Sequence, residues 1–93
     1  MATLIVKHTV DNYDSWKLVY DGADWLRKKH GIVSTSVHRS VENPNNMGIT
    51  HRFRDMASLK AFMEELKPIM ATAGLVGPPD LWVGEDVEHV KYS

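Results

Sequence analysis

Apolar and polar positions alternate from Thr3 to Val10, with Leu4, Val6, His8 and Val10 on one face and Thr3, Ile5, Lys7 and Thr9 on the other. This two-residue period predicts a strand. From Trp16 the period changes: Trp16, Val19, Tyr20, Ala23 and Leu26 recur at spacings of three and four, while Lys17, Asp21, Asp24 and Lys28 fall elsewhere. The pattern predicts one amphipathic helix. Oxygen-bearing side chains in Asp11-Asn12-Tyr13-Asp14-Ser15 can cap its first turn, and Lys28-Lys29-His30-Gly31 ends it with cations and a glycine suited to a left-handed residue. Gly22 is a weak point inside it.

Two runs rich in Val, Ile, Thr and Phe follow, Ile32 to Val41 and Met47 to Arg54. Between them Asn43-Pro44-Asn45-Asn46 fixes φ at proline and offers side-chain bonds to the backbone, so the stretch reads as a hairpin. In the first run Val33, Thr35, Val37 and Val41 share a face, and in the second Met47, Ile49, His51 and Phe53 do. A second helix is expected from about Asp55, burying Leu59, Phe62, Met63, Leu66, Ile69 and Met70. Pro68 predicts a kink or restart at Lys67. Gly77-Pro78-Pro79 reads as a stiff connector delivering a last strand, Leu81 to Val90. Strand, helix, hairpin, helix, strand is the order of an α+β, ferredoxin-like βαββαβ fold with a four-stranded antiparallel sheet.

The chain of 93 residues is expected to form a single domain spanning 1–93. A domain this small leaves about a third of its unfolded surface wet, so a second copy covering one sheet face is expected. The formal charge of −1 comes without a basic stripe, which argues against nucleic acid as a partner. No apolar run is long enough to cross a bilayer, so no membrane association is expected. The absence of cysteine and of a secretory pattern at Met1 to Val10 points to a cytoplasmic location.

Val37-His38-Arg39-Ser40-Val41-Glu42-Asn43-Pro44-Asn45, followed by a strand closing in Arg52-Phe53-Arg54-Asp55, resembles the central hairpin of the antibiotic biosynthesis monooxygenase family. The late Gly77-Pro78-Pro79 is similar too, so the likeness covers most of the chain. One departure stands out: where that family usually carries Glu before the Arg of the third strand, this chain has His51. The resemblance implies a dimeric α/β barrel, two ferredoxin-like sheets packed face to face, with a pocket in each protomer between sheet and helices. Proteins of this kind include cofactor-free oxygenases of aromatic polyketides, cyclases, haem-degrading enzymes, lactone isomerases and proteins with no known reaction, so the fold alone does not choose the chemistry.

Two histidines interrupt otherwise apolar strand faces. His8 breaks the Leu4, Val6, Val10 face and His51 breaks Met47, Ile49, Phe53. Burying an imidazole is costly without a partner or a purpose, and imidazole is a base near neutral pH. His8 and His51 are therefore the candidate catalytic residues. In a ferredoxin-like sheet their strands are adjacent, so both are expected to look into one cavity. Trp16 and Tyr20 from the first helix and Phe62 and Met63 from the second would form the opposite wall, suited to a flat aromatic or hydrophobic molecule. At helical spacing the same residues also serve as ordinary core, and a core histidine bonded to a backbone carbonyl is the plain reading of His8. Trp82, on the last strand, suits a dimer interface equally well.

His30 is explained as a helix-end cation, His89 as a tail residue, and His38 lies opposite Val37. No histidine pair has metal-ligand spacing, and no Gly-x-Gly-x-x-Gly or phosphate loop occurs, so neither metal nor cofactor is expected. The second helix has no histidine for haem iron. Two readings remain: a small cofactor-independent monooxygenase or cyclase acting on an aromatic, polyketide-like molecule with a pocket histidine as base, or a non-catalytic dimer that binds a small hydrophobic ligand or serves in stress.

Overall fold

The computed structural model describes residues 1–93. Its elements are β1 (Ala2–Val10), α1 (Tyr13–Gly22), α2 (Asp24–Lys29), β2 (Ser34–Arg39), β3 (Asn46–Phe53), α3 (Met56–Met70) and β4 (Leu75–Glu85). The strands form one antiparallel sheet in the order β2-β3-β1-β4. All helices pack on one face. Alternation along β1 and β3 decides which face that is: Leu4, Val6, His8 and Val10 point inward beside Met47, Ile49, His51 and Phe53. Leu26, Leu59 and Phe62 close the core from above, and the Phe53 and Phe62 rings sit 5.3 Å apart. Each such side chain contributes about 1.5–3 kcal/mol by leaving water. No helix is long and apolar enough to cross a membrane.

The hairpin forms as its turn chemistry requires. Asn43 accepts the Asn45 N–H through its side chain at 3.1 Å, its carbonyl accepts the Asn46 N–H, and the Arg39 side chain donates to the Pro44 carbonyl. Asn12 and Asp55 cap α1 and α3 by accepting the N–H of Ser15 and Ser58.

Four expectations from the sequence need correction. The first helix is two, because the chain breaks at Gly22-Ala23, where glycine has a low preference for helix and Ala23 leaves helical geometry (φ −96°, ψ 10°). Pro68 does not restart α3, which runs unbroken from Met56 to Met70. It sits on the exposed side, where the carbonyl it cannot bond can turn to water, and the Ala71 N–H beyond it still bonds the Lys67 carbonyl. β2 is shorter than Ile32 to Val41, since Gly31 is left-handed (φ 64°) and the strand begins only at Ser34.

The last strand is the largest correction. It runs Leu75–Glu85, not Leu81 to Val90, and Gly77-Pro78-Pro79 lies inside it. Residues 77–79 form a bulge set against the single residue His8, flanked by the pairs Lys7↔Asp80 and Thr9↔Val76, with Gly77 at φ 79°. Prolines are tolerated there because β4 is an edge strand and the bulge needs no donor from them.

Candidate functional site

The inward faces of β1 and β3, the α1–α2 pair and α3 enclose a small hollow of about 50 Å³. Val6 and Ile49, paired across the two strands, floor it. His8, His51, Trp16, Tyr20 and Phe62 all reach it. Met63 does not; it packs half-buried against the core.

The two histidines stand at opposite ends. His51 is paired with Leu4 rather than His8, so four residues, about 13 Å of strand, separate them along the sheet. No single atom of a ligand can meet both. From His8 an aromatic wall runs along α1: the Trp16 ring centroid is 5.7 Å away, Tyr20 stacks on Trp16 at 5.1 Å, and the Arg27 guanidinium lies over the Tyr20 ring at 4.0 Å. Phe62 closes the other end, its ring centroid 5.2 Å from that of His51 in an edge-on arrangement.

The environments of the imidazoles differ. His51 is buried, and its Nδ1 meets Thr35 Oγ1 at 3.0 Å across the β2–β3 ladder. Burial first, and the Arg27 charge second, push its pKa down to about 4, so it is neutral at pH 7. His8 is also held below the usual histidine range, by burial first, offset in part by a weak bond to its own backbone, and no other residue meets its buried Nδ1. Buried polar atoms are nearly always paired, so this nitrogen is the anomaly of the site. Burial raises the Tyr20 pKa, which keeps its hydroxyl a donor.

Thr35 and Arg27 were not singled out from the sequence. The side chain of Arg27 is only 11% exposed, and its Nη2 donates at 2.8 Å to the Tyr20 carbonyl, which also accepts the Ala23 N–H at the break between α1 and α2. Its spacing of seven from Tyr20, on the apolar stripe, was the available signal. Trp25 is exposed, and Trp82 lies exposed on the helix-free face opposite Ile5. No group of three or more His, Asp or Glu side chains converges in a way that could hold a metal.

Neither a family model nor a curated protein matches the chain. Solved structures do. A mutant form of SnoaB, a cofactor-independent oxygenase from Streptomyces nogalater, is similar with a TM-score of 0.80 and 11% identity, over 98% of this chain and 97% of that one. A monooxygenase from Streptomyces coelicolor, in complex with nanaomycin D, is similar with a TM-score of 0.70 and 16% identity, over 99% of this chain and 92% of that one. At these identities the likeness establishes the fold alone: the ferredoxin-like architecture expected from the hairpin is shared with these two structures and with one described as a putative antibiotic biosynthesis monooxygenase from Bordetella bronchiseptica (TM-score 0.75, 15% identity, over 94% of this chain and 97% of that one).

Proposed function

We propose that this protein is a small cofactor-independent monooxygenase or cyclase of aromatic, polyketide-like molecules, with His8 as the base that takes the substrate's proton. The observation that carries this reading is the His8 imidazole in the wall of an apolar hollow, its buried Nδ1 met by no other residue. A neutral imidazole with a free nitrogen can accept a proton from an acidic C–H or phenol placed against it. His51 is the weaker base, because its low pKa reduces its pull and Thr35 occupies its Nδ1; it serves to orient the far end of the ligand.

In the oxygenase version, His8 removes a proton from a ring CH₂ flanked by carbonyl or aryl groups. The carbanion, stabilised as an enolate, reduces dioxygen and combines with it to a hydroperoxide at that carbon. Loss of water then leaves a new carbonyl: CH₂ plus O₂ gives C=O plus H₂O, and the proton held by His8 leaves with the departing oxygen. In the cyclase version, the same anion attacks a carbonyl elsewhere in the substrate and no oxygen is consumed. The wall of Trp16, Tyr20 and Phe62 excludes water from the anion.

Molecules of this class need a pocket of several hundred Å³, and the hollow is far smaller, so the helices must part to admit one. Tyr20 and Arg27 mark where. They line both the hollow and an open groove of about 510 Å³ floored by Ile32, Ser34 and Thr35, so their displacement joins the two. A second copy belongs on the helix-free sheet face, where Trp82, Val76 and Ile5 leave apolar surface in water. Sedimentation at twice the chain mass is expected, and a monomer at micromolar concentration would remove the dimer.

The test is an oxygen electrode with a hydroxyanthrone, comparing uptake with buffer alone. Saturable uptake of one O₂ per substrate, forming the quinone, is the expected oxygenase result. The small volume of the closed hollow favours one competing reading, a dimer that binds a small hydrophobic ligand without chemistry or serves in stress. That reading gains if an anthrone binds yet neither oxygen uptake nor cyclisation of a polyketide analogue is catalysed.

A further inference from the structure

We infer that the hollow is built for an aromatic carboxylic acid, with the carboxylate held by the Arg27 guanidinium and the ring system lying along Trp16 toward His8. The inference deepens the function proposed above and rests on it. Of the residues lining the hollow, Arg27 alone carries a fixed charge, and no carboxylate lines the same space. A nearly buried guanidinium is expensive unless its donors are met. The Tyr20 carbonyl takes one of them, which explains why an arginine is tolerated between α1 and the sheet.

Asp24 offers little more. Its Oδ1 is 3.4 Å from Nε, its other oxygen is held by Lys28 at 3.1 Å, and the carboxylate is half exposed. That leaves Nη1 without a protein acceptor and open to solvent, free to turn to a ligand oxygen in place of water. A guanidinium presents paired N–H groups in a fork that fits the two oxygens of a carboxylate, a fit an ammonium cannot copy. Its position decides the ligand's direction. Arg27 stacks on Tyr20, Tyr20 on Trp16, and Trp16 meets His8, so an acid bound at Arg27 would lay its rings along this wall with the far carbon at the base. The groove shared by Tyr20 and Arg27 is also the route in; Asp21 and Asp24 line it too, their charge offset there by Lys28 and Arg27.

The experiment is calorimetric titration at pH 7 with 2-naphthoate and its neutral isostere 2-naphthamide. Native protein is expected to bind the acid at least about tenfold tighter than the amide, the margin of a charge-assisted bond. Arg27→Gln is expected to abolish that preference while amide binding stays within about twofold, which also shows that the variant is folded. If the Gln variant fails to fold, Arg27→Lys decides: it keeps a charge without the fork and is expected to lower the preference to a few fold, roughly. Equal native affinity for both probes, a preference that survives Arg27→Gln, or one left at its native size by Arg27→Lys, overturns the inference and leaves the aromatic site standing. Failure of the native protein to bind either probe removes the site itself and the inference with it.

Discussion

Replacing His8 with alanine is expected to lower kcat for oxygen uptake by about 10²–10⁴-fold, the range for loss of a general base, with substrate affinity changed only a few fold. The proton on the substrate would lose its acceptor, while Trp16, Tyr20 and Phe62 would still hold the rings. A merely structural role makes a different pattern. Truncating a packed core side chain costs stability in proportion to the cavity left, but the imidazole of His8 already carries an orphaned nitrogen, and removing it relieves that burden. The two contributions oppose one another, so the melting temperature is expected to move little. Added imidazole should restore part of the rate in the alanine variant. A variant with native turnover, or one that melts far lower and is not rescued, would take His8 out of the mechanism.

Acid is expected to weaken the fold well before the carboxylates titrate. Folded His51 resists protonation down to about pH 4, whereas the unfolded imidazole takes up its proton near 6.5. Between those values the unfolded state binds more protons, so stability is full above pH 6.5 and declines as pH falls toward 4. Over the interval from pH 7.5 to pH 4.5 the loss from His51 alone is about 2–3 kcal/mol. His8 acts with the same sign, because its folded pKa is lowered too. Asp24, Asp55, Glu65 and Asp86 are held below the ordinary carboxylate range by hydrogen bonds and cations, so their contributions vanish only at lower pH. Urea titrations at the two pH values, native against His51→Phe, isolate the effect. The variant is expected to lose much less stability on acidification; equal losses would mean that His51 titrates normally in the folded state.

The inner faces of β1 and β3 were legible because a two-residue period assigns every second side chain to one side, and the two histidines that violate it stand out. Their shared hollow followed from strand order. Their separation did not: it depends on the register pairing Leu4 with His51, which the turn and the sheet set together. The break at Gly22-Ala23 was visible only as a weak glycine, since the Arg27 bond to the Tyr20 carbonyl that goes with it spans seven residues. Pro68 misled because its exposure depends on how α3 rolls onto the sheet. Gly77-Pro78-Pro79 misled for a related reason: prolines argue against a strand unless it lies at an edge, and edges are a property of the whole sheet. Arg27 was overlooked because a single cation on an apolar stripe looks like a helix-end charge until the fold buries it.

The central claim is that a free nitrogen of His8 faces a bound aromatic ligand. Nitrogen NMR of the imidazole side chains at pH 7, with and without 2-naphthol, tests it directly. The expected result is a neutral His8 whose Nδ1 resonance moves on saturation with the phenol while that of the exposed His38 stays in place. Saturable binding that leaves both His8 nitrogens unchanged would contradict the account.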